Sequence, residues 1–263
     1  MLLAIDAGNT NTVCALIAPG AENPAALWRI RTEAARTADE YAAWMLPLAQ
    51  AAGLDLRSVD GVIVASVVPE ANFALRRFCE TYIGISPAFV GEAGVEAGIP
   101  VHLPRPEEVG ADRLVNALAA RAKYRLPCVI IDFGTATTFD VVDAGGAYVG
   151  GVIAPGVNLS LDALHRAAAK LPRIAVARPD RVIGTDTVSA MRSGVYWGYV
   201  GMMEGVLSRI TTELGTTPSV VATGGLAPLF AGALKGIDAV DDALTLRGLE
   251  IIYAGRKARK AAA

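Results

Sequence analysis

The chain has 263 residues, of which 53% are hydrophobic and 19% are charged, and its formal net charge is −2 at pH 7. This composition is typical of a globular protein with a sizeable core and excludes a disordered chain. The near-neutral charge provides no global field to attract nucleic acid or an anionic membrane. No apolar run is long enough for a membrane-spanning helix, and two histidines are too few for a multi-histidine metal site.

In the first half, strand and helix patterns alternate. An apolar run ending in Asp6 and a β-rich run after Asn11 predict a hairpin, because only a short turn with glycine and asparagine separates them. The elements predicted next are a strand at Ala26–Thr32, a helix capped by Thr37 and ended by Gly53, a buried strand within Val59–Pro69 and a helix stopped by Gly84.

A further helix is predicted over Arg105–Tyr124, because a proline followed by two glutamates is typical of a helix N-terminus. Gly110 lies inside this pattern, where a glycine costs about 1 kcal/mol relative to alanine. Such a glycine indicates close approach by another group.

The second half repeats this order of elements. Pro127–Ala144 again has the hairpin pattern, and Gly146–Gly156 adds a third strand. A strand is predicted at Pro218–Gly225, and helices are predicted at Leu159–Leu171, Thr187–Leu214 and Leu246–Lys257. Duplication of one α/β unit is the simplest explanation, so the sequence predicts an α/β protein with two related domains.

The three cysteines, Cys14, Cys79 and Cys128, lie among apolar residues without a CxxC spacing. They are expected to be buried free thiols in a reducing compartment. The N-terminal residues also lack a signal-peptide pattern. These features predict a cytoplasmic protein with neither nucleic acid nor a membrane among its partners.

Both hairpins carry the same motif, IDAGNTNT at Ile5–Thr12 and IDFGTATT at Ile131–Thr138. Glycine and small residues let backbone N–H groups converge on an anion, and each aspartate is placed to hold a hydrated cation against it. One D-x-G-x-T is a common hairpin turn, but two copies in matched halves favour a metal-bound polyphosphate. Hydroxyl donors to it are expected from Thr10, Thr12, Thr135, Thr137 and Thr138.

The two hairpins and the ATGG stretch at Ala222–Gly225 resemble the superfamily of acetate kinases, sugar kinases, Hsp70 and actin. More narrowly, the chain resembles the type III pantothenate kinase family nearly end to end. The motifs that carry this resemblance are Ser66–Pro69, Gly110–Arg113, Gly150–Gly156 and Gly184–Gly194. The resemblance implies two duplicated ribonuclease H-like domains, residues 1–123 and 124–263, with a cleft between them.

The resemblance also implies ATP-dependent phosphorylation of pantothenate to 4′-phosphopantothenate, the first step of coenzyme A biosynthesis, by a homodimer. The implied cofactors are Mg²⁺ and a monovalent cation, K⁺ or NH₄⁺. Asp132 would bind the monovalent cation, and Asp6 would lie near Mg²⁺. The implied ATP-binding residues are Asp6, Ala7, Gly8, Asn9, Thr10, Asn11, Thr12, Val13, Thr135, Gly224 and Gly225.

Asp112 matches the family's proposed catalytic base, and Arg113 would hold the substrate through a charge-assisted fork, unless it is a surface arginine paired with Glu108 or Asp112. Thr187 matches a substrate-contacting threonine but is equally suited to be a helix N-cap. The implied substrate-binding residues are Gly110, Ala111, Asp112, Arg113, Thr187 and Leu103. Many relatives carry Tyr or Phe at the position of Leu103, so an apolar wall is kept and a hydroxyl contact is lost.

Three questions stay open. The apolar, aromatic stretch Ser193–Gly205 is a candidate dimer surface, but burial within its own domain explains it equally well. The enzyme could phosphorylate another acceptor, a sugar or an acyl compound, on the same scaffold. The chain could instead be a nucleotide-dependent transcriptional accessory factor, although its acidic balance and lack of a basic face disfavour contact with DNA.

Overall fold

The structure is a computed structural model that describes residues 1–21, 23–168 and 170–262, with the backbone alone described for 260–262. The chain forms two compact units. The first contains Met1–Ile99, Arg105–Ala119 and Ala243–Ala263, and the second contains Pro100–Pro104 and Ala120–Asp242. The predicted division into domains 1–123 and 124–263 stays a prediction; by contacts, the C-terminal segment groups with the first unit.

The first unit is built on a five-stranded mixed sheet in the order β3-β2-β1-β4-β5. Its strands are β1 (Leu2–Ala7), β2 (Asn11–Ile17), β3 (Ala26–Arg31), β4 (Gly61–Ser66) and β5 (Ala88–Phe89). Its helices are α1 (Ala38–Ala51), α2 (Pro69–Phe78), the larger part of α3 (Ala111–Lys123), and α7 (Leu244–Ala262). The predicted Thr37 cap is confirmed, since Thr37 and Glu40 form a reciprocal capping box.

The second unit has the same architecture, with a sheet in the order β10-β9-β6-β7-β8. Its strands are β6 (Cys128–Phe133), β7 (Ala136–Val142), β8 (Tyr148–Pro155), β9 (Ser219–Thr223) and β10 (Ala239–Val240), and its helices are α4 (Val157–Ala167), α5 (Thr187–Leu214) and α6 (Ala227–Ala231). When the second sheet is read from β8 to β10, each strand takes the position of its counterpart in the first sheet, read from β3 to β5. In both sheets an antiparallel hairpin is extended by parallel strands, so the predicted duplicated α/β fold is confirmed.

The predicted helix over Arg105–Tyr124 is wrong at its start. Pro106–Glu108 form a separate 3-10 turn, Val109 adopts extended backbone, and α3 begins at Ala111. Gly110 therefore precedes the helix rather than interrupting it. The short elements α6 and β10 were not predicted, because five and two residues carry too little periodicity to be recognised.

All three cysteines are free and buried, as expected. Burial raises the pKa of Cys79 to about 12. Among the residues that the structure describes, no helix is both long enough and apolar enough to cross a membrane.

Helix α7 packs closely against Val115 of α3 in the first unit. Substitution of two glycines of α7 tests this packing. A methyl group on Gly248 would overlap the Val115 carbonyl oxygen and lie 2.6 Å from Val115 Cγ1. The same group on Gly255 would meet only Arg259 Nη1, at 3.9 Å.

We expect Gly255→Ala to raise the free energy of unfolding by up to about 1 kcal/mol, and Gly248→Ala to lower it by about 1–3 kcal/mol. Urea unfolding of both variants measures the two signs, and a stabilising Gly248→Ala would contradict this packing.

Candidate active site

The first hairpin turn is a compact glycine-containing loop at the carboxyl end of β1. Asp6 lies opposite Val13 in the ladder, and Gly8 N donates to Asn11 O at 3.0 Å. Asn9, Thr10 and Asn11 are exposed, but Thr12 is fully buried and its hydroxyl shares a 2.9 Å hydrogen bond with Thr32. The Thr12 hydroxyl thus ties the turn to the residue after β3, and the exposed backbone is the part that can meet a ligand.

Asp112 is held beside this first turn by contacts within the same unit. Val67, just after β4, donates its N–H to Ala7 O at 3.1 Å. Gly110 lies against Val67, because a Cβ at Gly110 would be 3.6 Å from Val67 Cγ1. The same Cβ would be 2.7 Å from Asp112 Oδ1, so a larger residue at Gly110 would displace this carboxylate from its place. Close approach at Gly110 was predicted, and its partner is Asp112.

The electrostatics of Asp112 suit a proton acceptor. Its Oδ1 accepts the Arg113 N–H at 2.8 Å, and the side chain is partly buried at the first turn of α3. Desolvation raises the pKa of Asp112, opposed by the Arg113 N–H and guanidinium. A carboxylate with raised pKa binds a proton more readily than an exposed aspartate does. Glu108 is paired with Arg105 at 2.7 Å, and the Arg113 guanidinium lies close enough to Asp112 to oppose the rise in the pKa of its carboxyl group.

Asp132 occupies the corresponding place in the second hairpin. It lies opposite Thr138 on β7 and beside Thr223 on β9. Gly224 has φ +90°, and a Cβ there would be 2.6 Å from Asp132 Oδ1. Glycine is favoured at this position by the left-handed backbone, and an added Cβ would also lie 2.8 Å from the backbone N and C of Phe133. Gly225 follows in open space.

The second turn rests on the N-terminus of α4. Gly134 N donates to Ala136 O at 3.0 Å. A Cβ on Gly156, the N-cap of α4, would overlap the Thr135 carbonyl oxygen and lie 2.9 Å from Gly134 O. The turn is therefore fixed close to the positive end of an eleven-residue helix, a location that favours anions. Gly156 lies in a motif that the sequence analysis named, but it was given no role there, because a glycine has no side chain to suggest one.

The two turns differ in length by one residue. Ala7 pairs with Thr12, whereas Phe133 pairs with Thr137. The offset between the halves is thus 126 residues before the turns and 125 after them, and the counterpart of Thr12 is Thr137, not Thr138. Thr137 is fully buried, and its hydroxyl has no hydrogen-bond partner among the described residues; Thr138 donates its hydroxyl proton to Asp140 at 3.0 Å.

The remaining predicted substrate residues, Leu103 and Thr187, belong to the second unit, whereas Gly110–Arg113 belong to the first. Leu103 lies next to Gly150 of β8, where a Cβ would be 3.6 Å from Leu103 Cδ2. Thr187 is the exposed first residue of α5. Its predicted role as an N-cap is wrong, because Asp186 caps the helix and accepts the Ser189 N–H at 2.9 Å.

The fold is shared with distantly related solved structures. A candidate 2-dehydro-3-deoxygalactonokinase from Sinorhizobium meliloti aligns with a TM-score of 0.64 at 12% identity, covering 97% of this chain and 96% of that one. A candidate Baf family transcriptional activator from Campylobacter jejuni aligns with a TM-score of 0.62 at 15% identity, covering 97% and 98%. At this identity the likeness establishes the fold alone.

Sequence comparison is more specific. The family model described as type III pantothenate kinase matches residues 2–209. A type III pantothenate kinase from Rhodospirillum rubrum is 57% identical over 96% of this chain and 98% of its own length. The protein of that name from Caulobacter vibrioides is 54% identical over 96% and 97%. With the duplicated fold and the two glycine-containing turns, these matches show that the chain belongs to the type III pantothenate kinase family.

Proposed function

We propose that the protein transfers the γ-phosphoryl group of ATP to the terminal hydroxyl of pantothenate, giving 4′-phosphopantothenate in the first step of coenzyme A biosynthesis. The observation that carries this proposal is Asp112, a partly buried carboxylate with a raised pKa beside the first glycine-containing turn. It occurs in a chain whose curated relatives are named type III pantothenate kinase.

Phosphoryl transfer needs a held polyphosphate, an acceptor hydroxyl in line with it and a carboxylate to take the acceptor's proton. The exposed residues Asn9–Asn11 and Gly134–Thr135 of the two turns would offer backbone N–H groups for the phosphates. Asp112 would accept the hydroxyl proton late in the reaction, and Arg113 would hold the pantothenate carboxylate. Gly224 and Gly225, at a strand end, would let the adenine lie against the backbone.

Metal ions complete this proposal. Among the described residues, no group of three or more His, Cys, Asp or Glu side chains could hold a metal ion. Asp6 and Asp132 would therefore each supply one carboxylate ligand to a cation that the nucleotide also binds. Mg²⁺ would be held near Asp6, K⁺ or NH₄⁺ near Asp132, and both would neutralise phosphate charge. The predicted cleft that would bring the halves together around one nucleotide stays a prediction.

A coupled assay of ADP formation tests the function. We expect ADP release that requires both pantothenate and K⁺ when ionic strength is held constant with choline. Release with a sugar or another alcohol but not with pantothenate would assign a different acceptor. No release with any acceptor, together with a salt-dependent shift of duplex DNA by the purified protein, would favour the regulatory alternative.

We also place the enzyme in the cytoplasm, where ATP is made and where the free thiols of Cys14, Cys79 and Cys128 would stay reduced.

The proposal includes a homodimer formed through α5. One face of this helix is buried in its own unit, through residues such as Tyr196 and Met203. Gly194, Gly198 and Gly201 are exposed on another part of its surface, with nothing near their added Cβ positions. Each mid-helix glycine costs about 1 kcal/mol, and no contact among the described residues compensates for this cost. Beside them lies an apolar groove of about 660 Å³ lined by α4, α5 and the end of β8, and a second copy fits such a surface.

We therefore expect Gly198→Arg to halve the mass measured by sedimentation equilibrium, because a long charged side chain cannot be buried in an apolar contact. Ser208→Arg adds the same charge to α5 at an exposed position outside the groove and should leave the mass unchanged. A dimeric Gly198→Arg variant would remove this face as the interface.

A further inference from the structure

Asp140 is a carboxylate that the function proposed above does not use. It lies in the middle of β7 and is fully buried. Its Oδ2 accepts the Thr138 hydroxyl at 3.0 Å, and its Oδ1 accepts the Tyr148 hydroxyl at 2.9 Å. Burying a carboxylate is unfavourable unless hydrogen bonds compensate for the lost hydration, so a charged residue at this position needs an explanation.

A bulge in the sheet brings Tyr148 to Asp140. The β7–β8 register passes from Val141 opposite Gly150 to Val142 opposite Tyr148, and Val149 is skipped. Without this irregularity, Val149 would face Val142, and an apolar side chain would lie on the face that carries Asp140. A bulge that redirects one side chain is a common device near functional sites.

The first half of the molecule shows that the fold does not need this polar pair. With the offset of 125 residues after the turns, Thr138 corresponds to Val13 and Asp140 to Ala15. Ala15 is fully buried, like Asp140. The same hairpin therefore forms with apolar residues at these positions, so the hairpin itself does not require the acid and hydroxyl of the second half.

The position of Thr138 in the sheet indicates a role for the pair of Thr138 and Asp140. Thr138 lies directly opposite Asp132 and shares a sheet face with both Asp132 and Asp140, since alternate residues of β7 point the same way. A threonine hydroxyl has one proton and two lone pairs. Because the proton is donated to Asp140, the oxygen has only lone pairs left beside Asp132. It can accept a hydrogen bond or coordinate a cation, but it cannot donate to a phosphate.

We propose that Asp140 is a positioning residue that holds the Thr138 hydroxyl as an acceptor, and that Thr138 thereby becomes a ligand of the monovalent cation beside Asp132. The inference rests on the proposed function for the identity of that cation. It replaces the expectation that Thr138 donates to phosphate, and it explains why the polar pair occurs in one half only.

The test compares Thr138→Val, which keeps the shape and removes the hydroxyl, with Thr138→Ser, which keeps the hydroxyl. Thermal unfolding is followed with ADP bound, so that no turnover occurs, while K⁺ replaces choline at constant ionic strength. We expect K⁺ to stabilise the wild type and Thr138→Ser equally. For Thr138→Val, the K⁺ concentration for the half-maximal shift should rise about tenfold, as for one lost hydrogen-bonding contact.

Asp140→Asn should act in the same direction as Thr138→Val, because an amide cannot accept from Thr138 and Tyr148 at once without turning a donor toward one of them. Tyr148→Phe leaves the Thr138 contact in place and should keep the wild-type response to K⁺. An unchanged K⁺ response in Thr138→Val, or no response in the wild type, would overturn the inference. Wild type that responds to K⁺ but does not phosphorylate pantothenate would overturn the proposed function instead.

Discussion

Replacing Asp112 with asparagine is expected to lower kcat by about 10²–10⁴-fold, the usual contribution of general acid–base catalysis. Asparagine keeps the shape and the oxygen that accepts the Arg113 N–H at 2.8 Å, but it cannot take a proton from the acceptor hydroxyl. The coupled ADP assay measures the loss. Glu107→Gln is the matched control, because Glu107 is an exposed acid of the preceding 3-10 turn and its variant should retain wild-type turnover.

The same variant should not be less stable than the wild type. Burial raises the pKa of Asp112 above its ordinary value of 3.8, so between these two values the folded state binds more protons than the unfolded state. Stability from this group therefore falls as pH rises through that interval, and the charged carboxylate destabilises the fold at neutral pH. We expect the thermal midpoint of Asp112→Asn at pH 7 to equal or exceed that of the wild type, with the gap closing as pH falls toward 3.8.

Wild-type activity should also decline on acidification at a higher pH than an exposed aspartate would give, because the base is inactive once protonated. Asp112→Asn with undiminished turnover would exclude Asp112 as the base. A large loss of stability in that variant would indicate a structural role instead.

Replacing Gly156 with alanine is expected to damage nucleotide binding in the second unit. The added methyl group would overlap the Thr135 carbonyl oxygen and lie 2.7 Å from Thr135 C. Both are backbone atoms that cannot rotate away, so the turn at Gly134–Thr135 must shift. Overpacking of this kind costs about 1–3 kcal/mol. If the shift removes one or two charge-assisted hydrogen bonds to phosphate, the KM for ATP should rise by about 10–100-fold.

Gly232→Ala provides the control for this change. Gly232 ends α6 with φ −74°, and nothing lies within 4 Å of its added Cβ. Its alanine variant should keep both the KM for ATP and the urea midpoint. A Gly156→Ala enzyme with unchanged KM would show that the second turn does not contact the nucleotide.

Sequence reasoning predicted those features that depend on local chemistry. The hairpins followed from apolar runs around glycine-containing turns, and the repeated Ile-Asp-x-Gly motif located both carboxylates. Prediction from the sequence was wrong where contacts with neighbouring elements determine the local structure. The start of α3 depends on Val109 adopting extended backbone, and the difference in turn length becomes visible only in the ladder register.

The roles of individual side chains were hardest to predict. Thr12, Thr137 and Thr138 all looked like hydroxyl donors to phosphate, yet two are fully buried and the third donates to Asp140. One signal was available, because Asp140 is the only charged residue in the otherwise apolar run Phe139–Val142. An acid inside a buried strand indicates a partner worth seeking.

The grouping of α7 with the first unit has a consequence for synthesis on the ribosome. Domains usually fold in the order in which they emerge. Here the Tyr253 hydroxyl donates to Asp60 O at 3.1 Å, a link across 193 positions. The first unit thus lacks one of its helices until α7 has been synthesised, whereas β6 to β10 precede α7 along the chain and can assemble before it. A nascent chain stalled before Leu244 should therefore protect its later sheet from protease while its earlier sheet remains open to cleavage.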